Sequence, residues 1–434
     1  MDPVLVGLIG IGLLLLLFML RMPVSFAMAF VGWIGYCYLS SPTAGSKLLV
    51  RDLFTIFNSY PLTVIPTFVL MGSYAFASGI SERLYRAAYD SFGQLRGGLS
   101  ITTVMACAGF AAVCGSTAAT VATIGKIAYP EMKRYRYDDT LATGCIATAA
   151  TLGILIPPST IFIVYGILTE QSIGKLFIAG VFPGLILAAL FALTVLILCY
   201  LRPHWGPSGP ATSWRTKLKA LSGIWEAIVL FSVTMGGLFA GWFTPTQAGS
   251  IGAVGALGMG LLRRGLSWRG FIEATLDGLM TSCMILFLIA GATVFGHFMA
   301  ITRIPFILVE WVKELPLSPT VILGIICLFY LVGGCFIDAM ALVVLTVPIV
   351  YPIILELGFD PIWFGVIIVL VSQVGVVSPP VGVNVYVLKG IASDVPLETI
   401  FKGALFFVGG IIITIGLLMA FPELATFLPK YVKW

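Results

Sequence analysis

Apolar residues run along this chain in long uninterrupted blocks, not in alternation. The first occupies residues 4–20 and closes at Arg21. Blocks of this kind predict α-helices that cross a bilayer, since a straight crossing takes ~20 residues. The apolar–polar alternation of a transmembrane β-barrel is not the pattern here. Following the blocks predicts ten crossing helices, starting near residues 4, 23, 60, 139, 176, 223, 246, 275, 362 and 403. Two further segments, about 98–126 and 318–352, read as re-entrant hairpins that enter the membrane and return. Residues 42–58 and 302–319 mix polar and apolar positions and read as helices lying in the interface. The first block has only Met1, Asp2 and Pro3 before it, without the positive charge of a signal peptide, and reads as a span.

Composition agrees with the pattern. Of 434 residues, 59% are hydrophobic and 10% charged, where a soluble chain carries roughly 25% charged. That excludes a disordered chain, a coiled coil, a secreted disulfide scaffold and a nucleic-acid binder. The net charge of +5 comes from 24 basic and 19 acidic residues. Most of the basic residues fall in loops on one side when the N-terminus is placed outside and Arg21 inside, which is the bias of cytoplasmic loops. The eight cysteines form no CxxC pair and sit mostly in apolar runs, as small buried hydrophobes do. His204 and His297 are too far apart in sequence to suggest a metal cluster. There is no Walker A or HExxH motif, and no acid pair or Ser/His dyad stands in the spans, so the chain does not read as an enzyme.

An internal repeat carries more information. Ile127-Ala128-Tyr129-Pro130 matches Ile349-Val350-Tyr351-Pro352, Tyr137-Asp138 matches Phe359-Asp360, Gly153 matches Gly375, and Pro157-Pro158 matches Pro379-Pro380. One offset of 222 residues aligns all four, and at that offset Ser116 falls on Asp338. The polar stretch 202–221 separates the copies. On the predicted topology the span near 60 and its partner near 275 run in opposite directions, so the repeats are inverted. Inverted repeats with interrupted helices are an architecture of secondary transporters, with sites near the midplane. The expected units are 1–59 (scaffold helices and an interfacial arm), 60–201 (first repeat, hairpin ~98–126, broken helix ~139–168), 202–270 (linker and central scaffold) and 271–434 (second repeat, hairpin ~318–352, broken helix ~362–388).

The interruptions are where chemistry is expected. Between Arg96 and Lys126 lie 29 residues without a charge, with Cys114-Gly115-Ser116-Thr117-Ala118-Ala119-Thr120 in their middle. A helix ending at Gly115 and restarting at Ser116 or Thr117 would follow ordinary capping chemistry. In the second copy Gly333-Gly334-Cys335-Phe336-Ile337 precedes Asp338, the only acid between Glu314 and Glu356. A carboxylate inside an apolar run calls for a partner. It reads either as a helix cap or as a cation ligand, and the two readings are compatible. The Pro-Pro pairs remove two N–H donors each and would free the carbonyls of residues 153–156 and 375–378 for a hard cation such as Na⁺; a simple water-satisfied kink is the plainer reading. The helix restarting after each pair would aim its positive end at an anion. Thr244-Pro245-Thr246-Gln247-Ala248-Gly249 reads as a turn, Glu226, Glu273 and Asp277 as interfacial groups at span edges, and His297 as a residue near a span end without a proton-relay role.

These motifs resemble the large membrane subunit of the tripartite ATP-independent periplasmic (TRAP) transporters over essentially the whole chain. The most specific portions are Gly115-Ser116-Thr117-Ala118-Ala119-Thr120, Gly153-Ile154-Leu155-Ile156-Pro157-Pro158-Ser159 and Ser378-Pro379-Pro380-Val381-Gly382. The hairpin and proline motifs are also similar, more distantly, to divalent-anion/Na⁺ symporters. The resemblance implies an all-α polytopic membrane protein, an inverted-repeat elevator-type secondary transporter in a bacterial cytoplasmic membrane with its N-terminus periplasmic. It implies Na⁺ as the co-transported ion without an organic cofactor, a small four-helix membrane subunit and a periplasmic solute-binding protein as partners, and a small organic anion (carboxylate or sulfonate) as solute. Carried over residue by residue, Gly115, Ser116, Thr117, Gly153 and the carbonyls at Ile156 and Pro157 would form one Na⁺ site. Asp338, Gly375, Ser378 and the carbonyls beside Pro379 would form the other, and Ser159, Asn384 and Thr120 would face the solute. Asp338 stands where the first copy has Ser116, so the two sites need not bind equally. The alternatives are a stand-alone Na⁺/anion symporter or a channel.

Overall fold

The computed structural model describes residues 2–209, 213 and 223–431. Among them every regular element is a helix. Part of the expected linker, 210–212 and 214–222, lies outside the described residues.

Three helices and a short turn precede the helix that opens the first copy. Helices α1 (Pro3–Met19) and α2 (Val24–Leu39) are followed by α3 (Pro42–Phe57), and α4 (Val64–Ala77) follows a short turn. The α3 helix and the segment Pro61–Ala77 meet at 56°, so the first is an arm and the second enters the apolar layer. Helix α5 (Ile80–Phe92) leads to the hairpin α6 (Gly98–Ala111) and α7 (Thr117–Arg134). The broken helix comes next: α8 (Asp139–Ala149) tightens into a 3₁₀ turn (Ala150–Ile154), and α9 (Thr160–Leu168) restarts after the prolines. Helix α10 (Ile173–Leu201) ends the copy.

Helices α11 (Trp225–Phe231) and α12 (Pro245–Leu262) lie between the copies; Thr244 and Gln247 close a reciprocal capping box that starts α12, so residues 245–249, expected as a turn, are its first helical residues. In the second copy, α13 (Trp268–Thr302) and the amphipathic arm α14 (Ile304–Glu314) precede the hairpin α15 (Pro319–Gly334) and α16 (Ala339–Glu356). The broken helix is α17 (Pro361–Val377) and α18 (Val383–Ile391), and α19 (Leu397–Ala420) ends the copy. Both Pro-Pro bonds are cis, at matched repeat positions.

Four described helices are individually long and apolar enough to cross a membrane: Ile173–Leu201, Trp268–Thr302, Ala339–Glu356 and Leu397–Ala420. The other apolar helices are shorter, because prolines, glycines and tips interrupt them. Exposed apolar side chains such as Leu8, Leu185 and Ile412 suit a lipid-facing surface. The broken helices form the centre: Ala142, Cys145, Leu152 and Phe162 of the first and Phe364, Ile367, Leu370 and Val377 of the second are buried. Gly144 of α8 lies directly against Gly403 of α19, leaving no room for a Cβ.

Both hairpins extend further than expected. The returning arms run to Arg134 and Glu356 rather than to about 126 and 352. Pro130, Pro348 and Pro352 sit inside these arms without ending them. The first arm also ends earlier than expected, at Ala111 rather than Gly115, where Val113 N and Cys114 N fold back onto Phe110 O.

Candidate functional site

The hairpin tips rest on the helix breaks. In the first copy Ser116 is the N-cap of α7, its Oγ accepting from Ala119 N at 3.4 Å. Thr160 Oγ1, at the restart of α9, donates to Gly115 O at 2.8 Å. A Cβ on Gly115 would stand 2.5 Å from Pro158 O and 3.1 Å from Thr160 N, so only glycine lets tip and break touch. A Cβ on Gly153 would lie 3.0 Å from Thr120 Oγ1 and 3.1 Å from Ser116 O. Glycine is required there by approach, not by backbone angle.

The second copy repeats the arrangement with other atoms. Val381 N, just past the prolines, donates to Cys335 O in the hairpin tip at 3.1 Å. Gly334 and Gly375 pack backbone to backbone. Asp338 caps α16, its Oδ2 accepting from Met340 N at 3.0 Å. The capping role is thus filled, and Asp338 also lines the cavity described below.

The prolines leave carbonyls bare. In a regular helix Gly153 O and Ile154 O would accept from residues 157 and 158, which are prolines. Ser159 Oγ donates to Ile154 O at 2.6 Å instead, and among the described residues no donor reaches Gly153 O, Leu155 O or Ile156 O. In the second copy Ser378 N takes Gly375 O at 3.2 Å, and no described donor reaches Val376 O or Val377 O. Bare carbonyls beside hydroxyls are the donor set of a hard monovalent cation, and such backbone persists in a membrane only where protein, water or an ion satisfies it.

A cavity of about 420 Å³ lies against the tips. Gly115, Ser116, Thr117, Pro158, Thr160 and Asp338 line its head. One wall is a stripe of α7, Ala119, Ala122, Thr123 and Lys126; the facing wall is a stripe of α13, Ala274, Asp277, Thr281 and Ile285. The first stripe has the i, i+3, i+4, i+7 spacing and the second the i, i+3, i+7, i+11 spacing of a single helix face.

Of the expected site residues, Gly153 lies against Ser116 and Gly115 against the restart of α9 at the first junction, Gly375 lies against Gly334 at the second, and Gly115, Ser116, Thr117 and Asp338 line the cavity. Ser159, Thr120 and Asn384 do not line the cavity. Each is fully buried: Ser159 Oγ caps α9, Thr120 Oγ1 donates to Ser116 O at 2.7 Å, and Asn384 Nδ2 donates to Ala147 O of the other copy at 2.9 Å while its Oδ1 has no partner among the described residues. Two acids read as interfacial are placed elsewhere. Asp277 is a cavity residue. Glu226 is 1% exposed and clamped by Arg83 of α5 at 2.6 Å and Arg263 of the α12 end at 2.8 Å. His297 is held by Asp52 of the α3 arm, Nδ1 to Oδ2 at 2.7 Å. Sequence reasoning missed Lys126 and Asp277 as cavity groups; the helical stripes containing them were the available signal.

A membrane protein whose helices are broken at matched repeat positions, with hairpin tips seated on the breaks and a cavity between two walls, is a secondary-transporter permease in class. Residues 11–424 match the family described as "Tripartite ATP-independent periplasmic transporter, DctM component". The chain is 35% identical over 395 residues to the C4-dicarboxylate TRAP transporter large permease protein DctM of Pseudomonas aeruginosa, covering 91% of each chain. It is 31% identical over 410 residues to the sialic acid TRAP transporter large permease protein SiaM of Vibrio cholerae, covering 94% of this chain and 95% of that one. Its fold is similar to that of the Alcanivorax borkumensis YdaH transporter, with a TM-score of 0.65 at 14% identity over 88% of this chain and 90% of that one. The chain belongs to the DctM family of TRAP transporters and is a multi-pass membrane permease, not an enzyme.

Proposed function

We propose that this permease imports a small organic anion together with Na⁺, taking the anion from a periplasmic solute-binding protein and working beside a small four-helix membrane subunit in a bacterial cytoplasmic membrane. The observation that supports this reading is the paired junction: at both matched positions a tip meets a Pro-Pro break, and both breaks leave carbonyls bare beside a hydroxyl or carboxylate. Gly153, Ile156, Ser116 and Thr117 supply one sodium site, and Asp338, Ser378 and the carbonyls of Val376 and Val377 the other. The ions fix the tips on the breaks, and the solute then sits at the cavity head against Ser116, Thr117 and Thr160. Coupling follows, because without sodium the bare carbonyls repel one another and the anion meets Asp338 uncompensated.

Transport proceeds as an elevator: the hairpins and broken helices slide along the wall made by α4 and α13.

Uptake into proteoliposomes tests the reading. Accumulation of succinate, N-acetylneuraminate or isethionate is expected to need an inward Na⁺ gradient and the cognate binding protein. Na⁺-dependent uptake without a binding protein would indicate a stand-alone symporter. Passage that needs neither would indicate a channel and overturn the proposal.

A further inference from the structure

Among the described residues Lys126 is the only basic side chain lining the cavity, and it has no hydrogen bond or ion pair with any of them. Its neighbours Tyr129 and Lys133, further along the same helix, are by contrast tied to Asp394. The charged groups facing Lys126 from the cavity walls are Asp277 on α13 and Asp338 at the second tip, and neither forms an ion pair with it. A lone ammonium on a wall that already holds two carboxylates has one use the geometry favours, which is to meet an anionic group that arrives with the solute.

We infer that Lys126 is the second anchor of the solute and selects for an anion with two charged ends, such as a short-chain dicarboxylate. This rests on the solute-in-cavity reading above. The first carboxylate sits at the head, where Ser116 and Thr117 present hydroxyls and the opening turns of α7 and α9 present N–H groups. Lys126 lies nine residues beyond Thr117 on the same helix, a rise of roughly 13 Å. Helical side chains lean back over the preceding turn, so along the helix axis the ammonium comes within roughly 8 Å of the head. An extended short-chain diacid with a hydrogen bond at each end fills that distance; a monoanion of the same length reaches only the head. Asp277 on the opposite wall sharpens the selection, because it penalises an anion that fails to reach the ammonium.

Binding to the full-length purified chain in detergent with saturating NaCl tests this, using calorimetry with succinate and with succinamate, in which one carboxylate is an amide. The wild type is expected to bind succinate about tenfold tighter than succinamate, the share of one charge-assisted hydrogen bond. Lys126→Gln should remove that preference by weakening succinate alone, and Lys126→Arg should keep most of it. The side chain is exposed, so both variants should fold. If Lys126→Gln leaves the succinate preference intact, or weakens both ligands equally, the assignment of Lys126 is wrong while the solute cavity stands. If the wild type binds neither ligand although it responds to N-acetylneuraminate or isethionate, the two-ended selection is wrong. If it binds none of the four, the cavity reading fails, and this inference with it.

Discussion

Gly115→Ala asks directly whether the first tip must touch the first break. The new methyl would sit 2.5 Å from Pro158 O, whereas ordinary contact begins near 3.4 Å, so tip and break must part by about 0.9 Å. Neither neighbour can yield by turning a side chain, since Pro158 O and Thr160 N are backbone. Overpacking of this kind costs about 1–3 kcal/mol, and losing the Thr160 hydroxyl bond to Gly115 O adds about 1 kcal/mol. The stiffer unfolded chain returns about 0.4–1 kcal/mol. A net loss of about 2 kcal/mol should lower the melting temperature by a few degrees in a chain this long. Function should suffer more than stability, because cation ligands tolerate little displacement: half-maximal uptake should need about tenfold more Na⁺, the equivalent of ~1.4 kcal/mol at the site. Gly324→Ala is the control. It lies in α15 with nothing within 4 Å of its new methyl, and the helix gains up to about 1 kcal/mol. Uptake titrated against Na⁺, together with thermal unfolding of both variants, reads the difference. A Gly115→Ala transporter with wild-type sodium dependence and melting would show that the contact does not hold the site.

Asp338→Asn should keep its hairpin folded, because asparagine caps helices as well as aspartate, yet weaken Na⁺ activation of uptake; unchanged activation would leave Asp338 a cap alone. Ser116→Ala with Thr117→Ala should raise the Na⁺ concentration for half-maximal uptake, and no change there would move the first site elsewhere. Glu226→Gln keeps volume but removes the charge between Arg83 and Arg263, whose side chains are 27% and 46% exposed. After allowing for that exposure the loss is about 2 kcal/mol, read as a lower melting temperature that Arg83→Gln in the same chain does not deepen additively. The Lys133 ammonium beside Asp394 holds its carboxyl below the ordinary 3.8. A carboxylate depressed in the folded state stabilises above its unfolded value and loses that contribution as pH falls through the folded one. The melting difference between wild type and Asp394→Asn should therefore persist at neutral pH and close only below pH 3.8.

What could be read from the residues follows from range. The tips, the breaks and the caps are local: Gly115 before Ser116, Gly334 before Asp338, and Pro-Pro pairs one offset apart. Local chemistry fixes them, and the structure shows them where the motifs stand. Ser159 and Thr120 were named for the right neighbourhood, but short hydroxyl side chains find the nearest bare carbonyl first, so they cap and brace rather than face the cavity. Glu226 was beyond reach of pattern. Its partner Arg83 is 143 residues away, and only the packing of α5 against α11 creates that pair. Lys126 counted as one more loop charge because the first hairpin was drawn too short; once α7 runs on to Arg134, the same lysine stands inside the cavity wall. Asp277 moved for the matching reason on α13.

Asn384 of one copy gives its amide to Ala147 O of the other, and Tyr165 reaches from the first broken helix to Pro361 O at the head of the second. Neither half, separated at the linker, could satisfy these atoms by itself. A duplicated ancestor could have paired with a twin to do so, but once the copies diverged each became the other's obligatory solvent. Two fragments expressed apart should therefore regain transport only by finding one another in the same bilayer.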